Sequence, residues 1–331
     1  MIQNDDEKIF EEAKNIIQSC RNEAAKRLIG QSDVIDAIIM AFIAGGHVLL
    51  EGAPGLAKTL AIKTFSEIAG LDFKRIQFTP DLMPADVTGT LIYEQKSGSF
   101  TVRKGPVFAN VILADEINRA PAKVQSAMLE AMEEKQVTIG ENSFELPKPF
   151  FVLATQNPVE QEGTYNLPEA ELDRFLLKLV IDYPSNENEK DIIKTCGKAP
   201  DIKVKKIISA GDIEKMQKAA DEVVCDDKLI EYIVSILNVT RKNNGQSAHA
   251  NSNDITRYVT FGASPRAGIA MLQCAKAHAL FAGRSFVIPE DIKAVAPGVL
   301  RHRLVLSYEA AADSITPDEI ISRILDFVPV P

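Results

Sequence analysis

Short apolar runs alternate with amphipathic stretches along the first half of the chain. The runs are bounded by Gly, Pro or polar residues, which is typical of buried strands, and they cover residues 47–51, 73–78, 111–114, 150–155 and 176–181. Stretches with apolar residues three and four positions apart predict helices, over residues 7–28, 32–44, 58–69 and a segment that follows Pro121. Strands that alternate with helices indicate a mostly parallel sheet covered on both faces, so the pattern predicts an α/β domain.

Two insertions interrupt this alternation, and the pattern changes after Pro184. Residues 79–108 are long and loop-rich, whereas 136–146 read as a hairpin that turns at Gly140. Beyond Pro184 helical periodicity dominates, over residues 187–196, 212–222, 226–242, 265–283 and 289–300. We therefore predict two domains, an α/β core over 1–184 and a smaller helical domain over 185–331.

Composition narrows the class of protein. The 331 residues are 46% hydrophobic and 25% charged, which is typical of a soluble globular chain. The net charge of −9 falls entirely on residues 1–184, which hold 18 basic and 27 acidic side chains. Non-specific nucleic-acid binding depends on Lys and Arg that neutralise phosphates, so we expect no nucleic-acid partner.

Cysteine content and apolar run length indicate the compartment. The four cysteines show no CxxC spacing, and the four histidines form no ligand cluster, which favours a reducing compartment over a disulfide framework. The longest apolar stretch without charge, residues 37–50, is too short to span a bilayer. The start of the chain is acidic and polar, unlike a signal peptide. We expect a cytoplasmic protein without stable membrane insertion.

A glycine-rich loop follows the first predicted strand and opens a predicted helix. It reads Gly52-Ala-Pro-Gly55-Leu-Ala57-Lys58-Thr59. In a P-loop, backbone N–H groups surround the β-phosphate and the start of the helix favours the anion. Lys58 would reach the β- and γ-phosphates, and the Thr59 hydroxyl would bind Mg²⁺. Ala57 replaces the usual glycine and fits only with a negative φ. An ordinary turn before a helix is the alternative.

Polar residues follow two other predicted strands. Asp115 and Glu116 come directly after the run 111–114, and Asn157 follows the run 150–155. In phosphoryl-transfer sites one carboxylate supports the Mg²⁺ shell, and a second can polarise the attacking water. Two adjacent acids at a buried strand end would be costly without a nearby cation. Asn157 could orient the water, although Asn-Pro is also a common turn.

Taken together, these residues resemble the MoxR branch of the AAA+ ATPases, and the resemblance covers nearly the whole chain. The segments that carry it are Gly30-Gln31, residues 45–52, 113–120, 153–158, 161–165, 172–175 and 262–267, and Arg301-His-Arg303. The Ala57 form of the P-loop is usual in that branch. The resemblance implies a P-loop AAA+ core with a five-stranded parallel sheet, followed by a smaller all-α lid. It assigns a helix-2 insert to 79–108 and a pre-sensor hairpin to 136–146.

The resemblance also implies roles for single residues. Asn157 matches sensor 1, Arg174 matches the arginine finger that acts on the ATP of a neighbouring subunit, and Arg266 matches sensor 2 in the lid. With Glu116 they form the expected catalytic set. The expected nucleotide contacts are Ile29, Gly30, Gly52, Gly55, Leu56, Ala57, Lys58, Thr59 and Leu60, and the expected metal ligands are Thr59 and Asp115. From the sequence alone, Arg174 could equally form a salt bridge within its own domain.

The implied function is that of a ring-forming ATPase, usually a hexamer, that uses ATP/ADP and Mg²⁺. Members of the branch act as chaperone-like proteins, often on partners with von Willebrand factor A domains, and in metal or cofactor insertion. Two alternatives stay open, a nucleotide-gated interaction switch with negligible turnover and a metal-chelatase-type ATPase subunit. A pure switch does not need Glu116, Asn157 and Arg174 together. The sequences of the two insertions, 79–108 and 136–146, do not identify a client protein.

Overall fold

The computed structural model describes residues 3–52, 58–157, 164–195, 198, 201–241, 255 and 257–331, with only the backbone described for residues 3–7. The chain divides into two compact units. One, here called the α/β unit, comprises residues 16–175 and 179–215; the other, here called the helical unit, comprises residues 1–15, 176–178 and 216–331. The proposed domain boundary at residue 184 stays a prediction.

The described strands are β1 (Val48–Gly52), β2 (Phe73–Gln77), β3 (Gly89–Glu94), β4 (Ser99–Lys104), β5 (Val111–Asp115), β6 (Gln136–Ile139), β7 (Asn142–Glu145), β8 (Phe151–Gln156), β9 (Leu177–Ile181), β10 (Val259–Phe261) and β11 (Val305–Leu306). The described helices are α1 (Gln3–Ala24), α2 (Ser32–Ala44), α3 (Lys58–Ala69), α4 (Pro84–Thr88), α5 (Ala122–Glu134), α6 (Glu169–Leu172), α7 (Asn186–Lys194), α8 (Ala210–Glu222), α9 (Asp227–Thr240), α10 (Pro265–Phe281), α11 (Pro289–Leu300), α12 (Tyr308–Ala312) and α13 (Pro317–Phe327). A 3₁₀ turn, η1, covers Ile117–Arg119.

A five-stranded sheet in the order β2-β5-β8-β1-β9 organises the α/β unit. Strands β2, β5, β8 and β1 pair in parallel, with Leu113 opposite Leu153 and Leu153 next to Val48. The three inner strands are buried on both faces, as their continuous apolar runs predict. The predicted five-stranded α/β core is therefore confirmed. Because neighbouring strands are parallel, β1, β5 and β8 end at the same edge of the sheet.

Both insertions are hairpins. Residues 136–146 form the predicted one, in which β6 and β7 turn after Ile139 with Gly140 at φ +65°. The loop-rich expectation for 79–108 was incomplete, because this segment holds α4 and the antiparallel pair β3–β4. Both strands are exposed along nearly their whole length, so their sequence lacks the one-sided apolar alternation that marks a half-buried strand.

Helices predominate in the helical unit, as the periodicity after Pro184 predicts. Ser264 caps α10 by accepting the backbone N–H of Arg266, and Thr316 with Glu319 forms a capping box on α13. The unit also contains the short antiparallel pair β10–β11, which the sequence did not predict because two or three residues give no periodicity. Among the described residues, no helix is long and apolar enough to cross a membrane.

Candidate functional site

The candidate phosphate site begins where β1 ends. Gly52 is the last residue of β1, and a Cβ there would lie 2.8 Å from the carbonyl oxygen of Ile181, so only glycine fits against β9. Lys58 and Thr59 open α3, with Leu60 after them. The expected contacts Gly55, Leu56 and Ala57 lie outside the described residues.

Lys58 brings a positive charge to the edge of the sheet where β1 ends. Its ammonium donates a hydrogen bond to the carbonyl oxygen of Gly52. Burial lowers the pKa of Lys58, while the negative charges of Asp115, Glu116 and Glu51 act in the opposite direction. Negative charge near a half-buried ammonium stabilises its charged form, and a Lys at the start of a helix that follows a glycine-rich loop is placed as a P-loop lysine is.

Asp115 ends β5 with both carboxylate oxygens engaged. Oδ1 accepts the hydroxyl of Thr155 at 2.7 Å, and Oδ2 accepts Nε and Nη2 of Arg75 at 3.0 and 2.6 Å. Thr155 is buried on the neighbouring strand β8, whereas Arg75 lies half-exposed on the edge strand β2. The carboxylate is therefore oriented from both sides of its own strand.

Glu116 adopts the left-handed conformation, with φ 57° and ψ 51°. This conformation is costly for a residue with a side chain, so it marks a position where the surroundings impose the backbone. Its N–H donates to Thr155 Oγ1 at 2.8 Å. Its Oε2 accepts Nε2 of Gln77 at 2.9 Å and lies 3.3 Å from Nη1 of Arg119. The backbone at Glu116 therefore leaves the direction of β5, and the Glu116 carboxylate is held by Gln77 and Arg119.

Asn157 follows β8 directly and is buried at 7% exposure. Because β8 lies between β1 and β5, the structure brings Asn157 to the same edge as Lys58, Asp115 and Glu116. A polar side chain is seldom buried without a hydrogen-bond partner, so a buried asparagine at the end of β8 is a specific feature of this edge. Its sensor role stays a prediction.

The remaining predicted residues lie farther along the chain. Ile29 and Gly30 occupy the turn before α2, where Gly30 has φ +71° and packs against Asn188 of α7. Arg174 follows α6, and its Nη1 contacts Glu133 at 2.9 Å, so the salt bridge within its own unit is present. Arg266 lies exposed in the first turn of α10, in the helical unit. The roles of all four in nucleotide binding stay predictions.

Three residues of the site were not predicted from the sequence. Thr155, Arg75 and Gln77 contact the two acids, yet each is an ordinary residue of a predicted strand. The signal for Thr155 is a polar residue at the end of an otherwise apolar run. Arg75 and Gln77 alternate with buried Ile76, which places them on one face of β2, but their partners depend on the register between β2 and β5.

The oxygen groups at this edge suit Mg²⁺ bound together with phosphates. Mg²⁺ prefers oxygen ligands and is commonly held by one or two carboxylates plus substrate phosphates. Thr59 supplies a hydroxyl at the start of α3, and Asp115 a carboxylate at the end of β5. In the described part of the chain, no cluster of three or more His, Cys, Asp or Glu side chains could hold a metal alone. The role of Thr59 and Asp115 as ligands of Mg²⁺ bound with a nucleotide stays a prediction.

Comparison with known proteins agrees with this arrangement. Residues 47–177 match the family described as "ATPase family associated with various cellular activities (AAA)", and residues 252–324 match the AAA lid domain. A solved structure of a protein from Cytophaga hutchinsonii, described as a candidate ATPase, superposes with a TM-score of 0.91 at 45% identity, covering 100% of this chain and 99% of that one. The fold is thus an α/β AAA+ core with a helical lid.

Two relatives named MoxR identify the branch of the AAA+ ATPases to which the chain is similar. Chaperone MoxR1 of Mycobacterium tuberculosis is 48% identical over 309 residues, which covers 93% of this chain and 81% of the relative. Protein MoxR of Methylorubrum extorquens is 31% identical over 326 residues, covering 93% of both chains. Nucleotide binding follows from the family. The chain belongs to the MoxR family of AAA+ ATPases.

Proposed function

We propose that this protein hydrolyses ATP at the interface between subunits of a ring and uses the cycle to remodel or activate partner proteins. The observation that carries the proposal is the meeting of Lys58, Asp115, Glu116 and Asn157 at the carboxyl edge of one parallel sheet. Ligands of open α/β sheets bind in the crevice outside this edge. A cation, two acids and an amide at that place match the needs of phosphoryl transfer to water.

Each side chain has a distinct task in this proposal. Lys58 binds the β- and γ-phosphates, and Thr59 and Asp115 would hold Mg²⁺, which neutralises phosphate charge when bound. Glu116 orients the attacking water and accepts its proton. Asn157 holds the water or the γ-phosphate from the end of β8. Thr155 keeps the two acids in their positions, because it bonds the backbone of one and the side chain of the other.

The arginines complete the site from outside the chain's own sheet. Arg174 would enter the site of the neighbouring subunit, and Arg266 would reach the γ-phosphate from the lid. Arginine suits both tasks because its planar guanidinium is always charged and matches phosphate oxygens. An arginine finger typically contributes about 10³–10⁵ in rate, so an isolated subunit should hydrolyse ATP slowly. We therefore expect specific activity to rise with protein concentration as the ring, expected to be a hexamer, assembles.

The cellular role follows from the family only in outline. One relative is named a chaperone, which supports a remodelling role for this chain as well. We propose a client protein with a von Willebrand factor A domain and a cytoplasmic location. Delivery of a metal or cofactor to that client is part of the same proposal. Pulldown with a Glu116→Gln variant held in ATP, followed by mass spectrometry, would identify the client.

Steady-state phosphate release tests the ATPase proposal. The wild-type protein should turn over ATP, Glu116→Gln should bind ATP with normal affinity and lose about 10²-fold or more in kcat, and Lys58→Ala should lose nucleotide binding. Lys123→Ala, which removes an exposed charge from α5, serves as the matched surface control. Nucleotide binding without turnover by the wild type would contradict the proposal and favour the nucleotide-gated switch.

A further inference from the structure

Helix α5 holds Arg174 through two acceptors on one face. Nη1 of Arg174 lies 2.9 Å from Oε2 of Glu133 and donates to the backbone carbonyl of Leu129 at 3.3 Å. Residues four apart lie one above the other on a helix, so both acceptors face the same side. The guanidinium is therefore anchored at two points of one helix.

Both contacts use the same nitrogen of the guanidinium. Arginine carries five N–H donors in a planar fork, and the three on Nε and Nη2 take no part in these two contacts. The side chain of Arg174 is 32% exposed and that of Glu133 is 39% exposed, so the pair is reachable from outside. Because only Nη1 is held by α5, the edge of the guanidinium formed by Nε and Nη2 can face a phosphate.

The surroundings of this pair are acidic. A cavity of about 230 Å³ borders it, and its wall includes Glu130, Glu134 and Glu171 in addition to Glu133. A concave surface lined by one sign of charge concentrates the field there, which favours a cation in place. Glu133 is the member of the group that forms the ion pair with Arg174.

The other end of α5 is fixed to the turn that follows Glu116. Nε2 of buried Gln125 donates to the carbonyl oxygens of Ile117 and Ala120 at 3.2 and 3.1 Å. The helix that holds Arg174 is thus hydrogen-bonded to the turn that follows Glu116 in the same subunit. A shift of Arg174 relative to that edge requires α5 to move or the contact with Glu133 to open.

We propose that Glu133 is the positioning residue for Arg174: it fixes the orientation in which the guanidinium meets the neighbouring subunit's ATP. This inference rests on the proposed function, in which Arg174 acts on that ATP. Without the Glu133 carboxylate the guanidinium keeps one acceptor and samples other rotamers. Misplacement of a group in a reacting site lowers the rate of the chemical step while nucleotide binding by the P-loop is unchanged.

Mixed assemblies separate this role from the proposed function. Arg174→Ala subunits keep their own nucleotide site and lack the arginine, whereas Lys58→Ala subunits supply the arginine and bind no nucleotide. The mixture should recover ATPase activity. A Lys58→Ala/Glu133→Gln donor should recover about tenfold less kcat with the same KM for ATP. A Lys58→Ala/Glu130→Gln donor, altered in the same cavity, should recover as much as Lys58→Ala alone.

Sedimentation velocity measures the assembly of each mixture alongside its ATPase rates, so that each outcome can be assigned to one cause. No recovery with the Lys58→Ala donor contradicts action across the interface, and the inference then fails together with the proposed function. Recovery that is equal with and without Glu133→Gln overturns the positioning role alone. Loss of assembly in the Glu133→Gln donor also overturns it, because the carboxylate would then stabilise the subunit interface. A lower kcat at normal KM and normal assembly supports it.

Discussion

Arg75 binds Asp115 through two hydrogen bonds to a single carboxylate oxygen, from Nε at 3.0 Å and from Nη2 at 2.6 Å. Nη2 also donates to Oε1 of Gln77 at 2.6 Å, and Nε2 of Gln77 donates to Glu116. The edge strand β2 therefore contacts both acids of the candidate site. A cation that already occupies one oxygen of Asp115 competes with the shell of a metal ion for the same carboxylate.

Arg75→Ala should lower the Mg²⁺ concentration that gives half-maximal ATPase activity. The arginine is half-exposed, so its hold on Asp115 is on the order of 0.5–1 kcal/mol, and the expected change is about two- to fivefold. Magnesium titrations at saturating ATP measure the effect. Lys74→Ala is the control, because it removes one positive charge from the neighbouring exposed position of β2. An unchanged or higher Mg²⁺ requirement in Arg75→Ala would contradict this competition.

Thr155→Val should reduce kcat by about tenfold and leave the KM for ATP nearly unchanged. Valine has the same shape but lacks the hydroxyl that accepts Glu116 N–H and donates to Asp115 Oδ1. The side chain is 1% exposed, so water cannot readily replace the hydroxyl, and we also expect a loss of about 1–3 kcal/mol in unfolding free energy. Steady-state kinetics and urea unfolding provide both numbers.

Thr155→Ser provides the control for this pair of measurements. Serine keeps the hydroxyl and removes one methyl group, so it should retain most of kcat. If serine and valine lower kcat equally, packing of the methyl group rather than the two hydrogen bonds is what the site requires.

The parallel core could be predicted from the sequence because buried strands and the glycine-rich loop give strong local signals. Five apolar runs and the residues at their ends placed Lys58, Asp115, Glu116 and Asn157 at one edge. The contacts of Arg75 could not be predicted, since they depend on which strand lies at the edge and in which register it pairs. The β3–β4 hairpin escaped prediction because both of its faces are exposed.

The backbone conformation of Glu116 and the identity of the ion-pair partner of Arg174 could likewise not be predicted from the sequence. The sequence around Glu116 does not indicate a positive φ, because the tertiary structure around this residue imposes that conformation. A salt bridge within its own domain is the alternative to a role of Arg174 in the neighbouring site, and the structure places Oε2 of Glu133 2.9 Å from Nη1 of Arg174. The pair is compatible with both, since only Nη1 of Arg174 contacts Glu133 and the N–H donors on Nε and Nη2 take no part in that contact.

His47 should make the protein less stable in mild acid. Burial lowers the pKa of His47 to about 4, against about 6.5 in the unfolded chain. Its Nδ1 accepts the N–H of Val152 at 3.1 Å, and Nε2 lies 3.2 Å from the carbonyl oxygen of Met132, which together fit a neutral ring. The unfolded state binds the proton first, so stability is lost as pH falls from 6.5 to 4, by about 3 kcal/mol in total.

Urea unfolding at pH 7, 5.5 and 4.5 measures this loss when His47→Gln is compared with the wild type. Glutamine keeps one donor and one acceptor and does not titrate, so the variant should be less sensitive to pH over this range. All other titrating groups are shared by the two proteins and cancel in the comparison. Identical pH dependence of the two proteins would show that His47 does not titrate differently in the folded state.

Glu116→Gly should be more stable than Glu116→Ala by about 1 kcal/mol, although both lose ATPase activity. Both substitutions remove the carboxylate, the contact with Gln77 and the ion pair with Arg119, so these losses cancel. What differs is the backbone, since glycine adopts φ 57° without strain and alanine does not. Greater freedom of glycine in the unfolded chain opposes this gain and limits its size. Urea unfolding without nucleotide provides the comparison, and equal or lower stability of the glycine variant would mean that the site does not store backbone strain at Glu116.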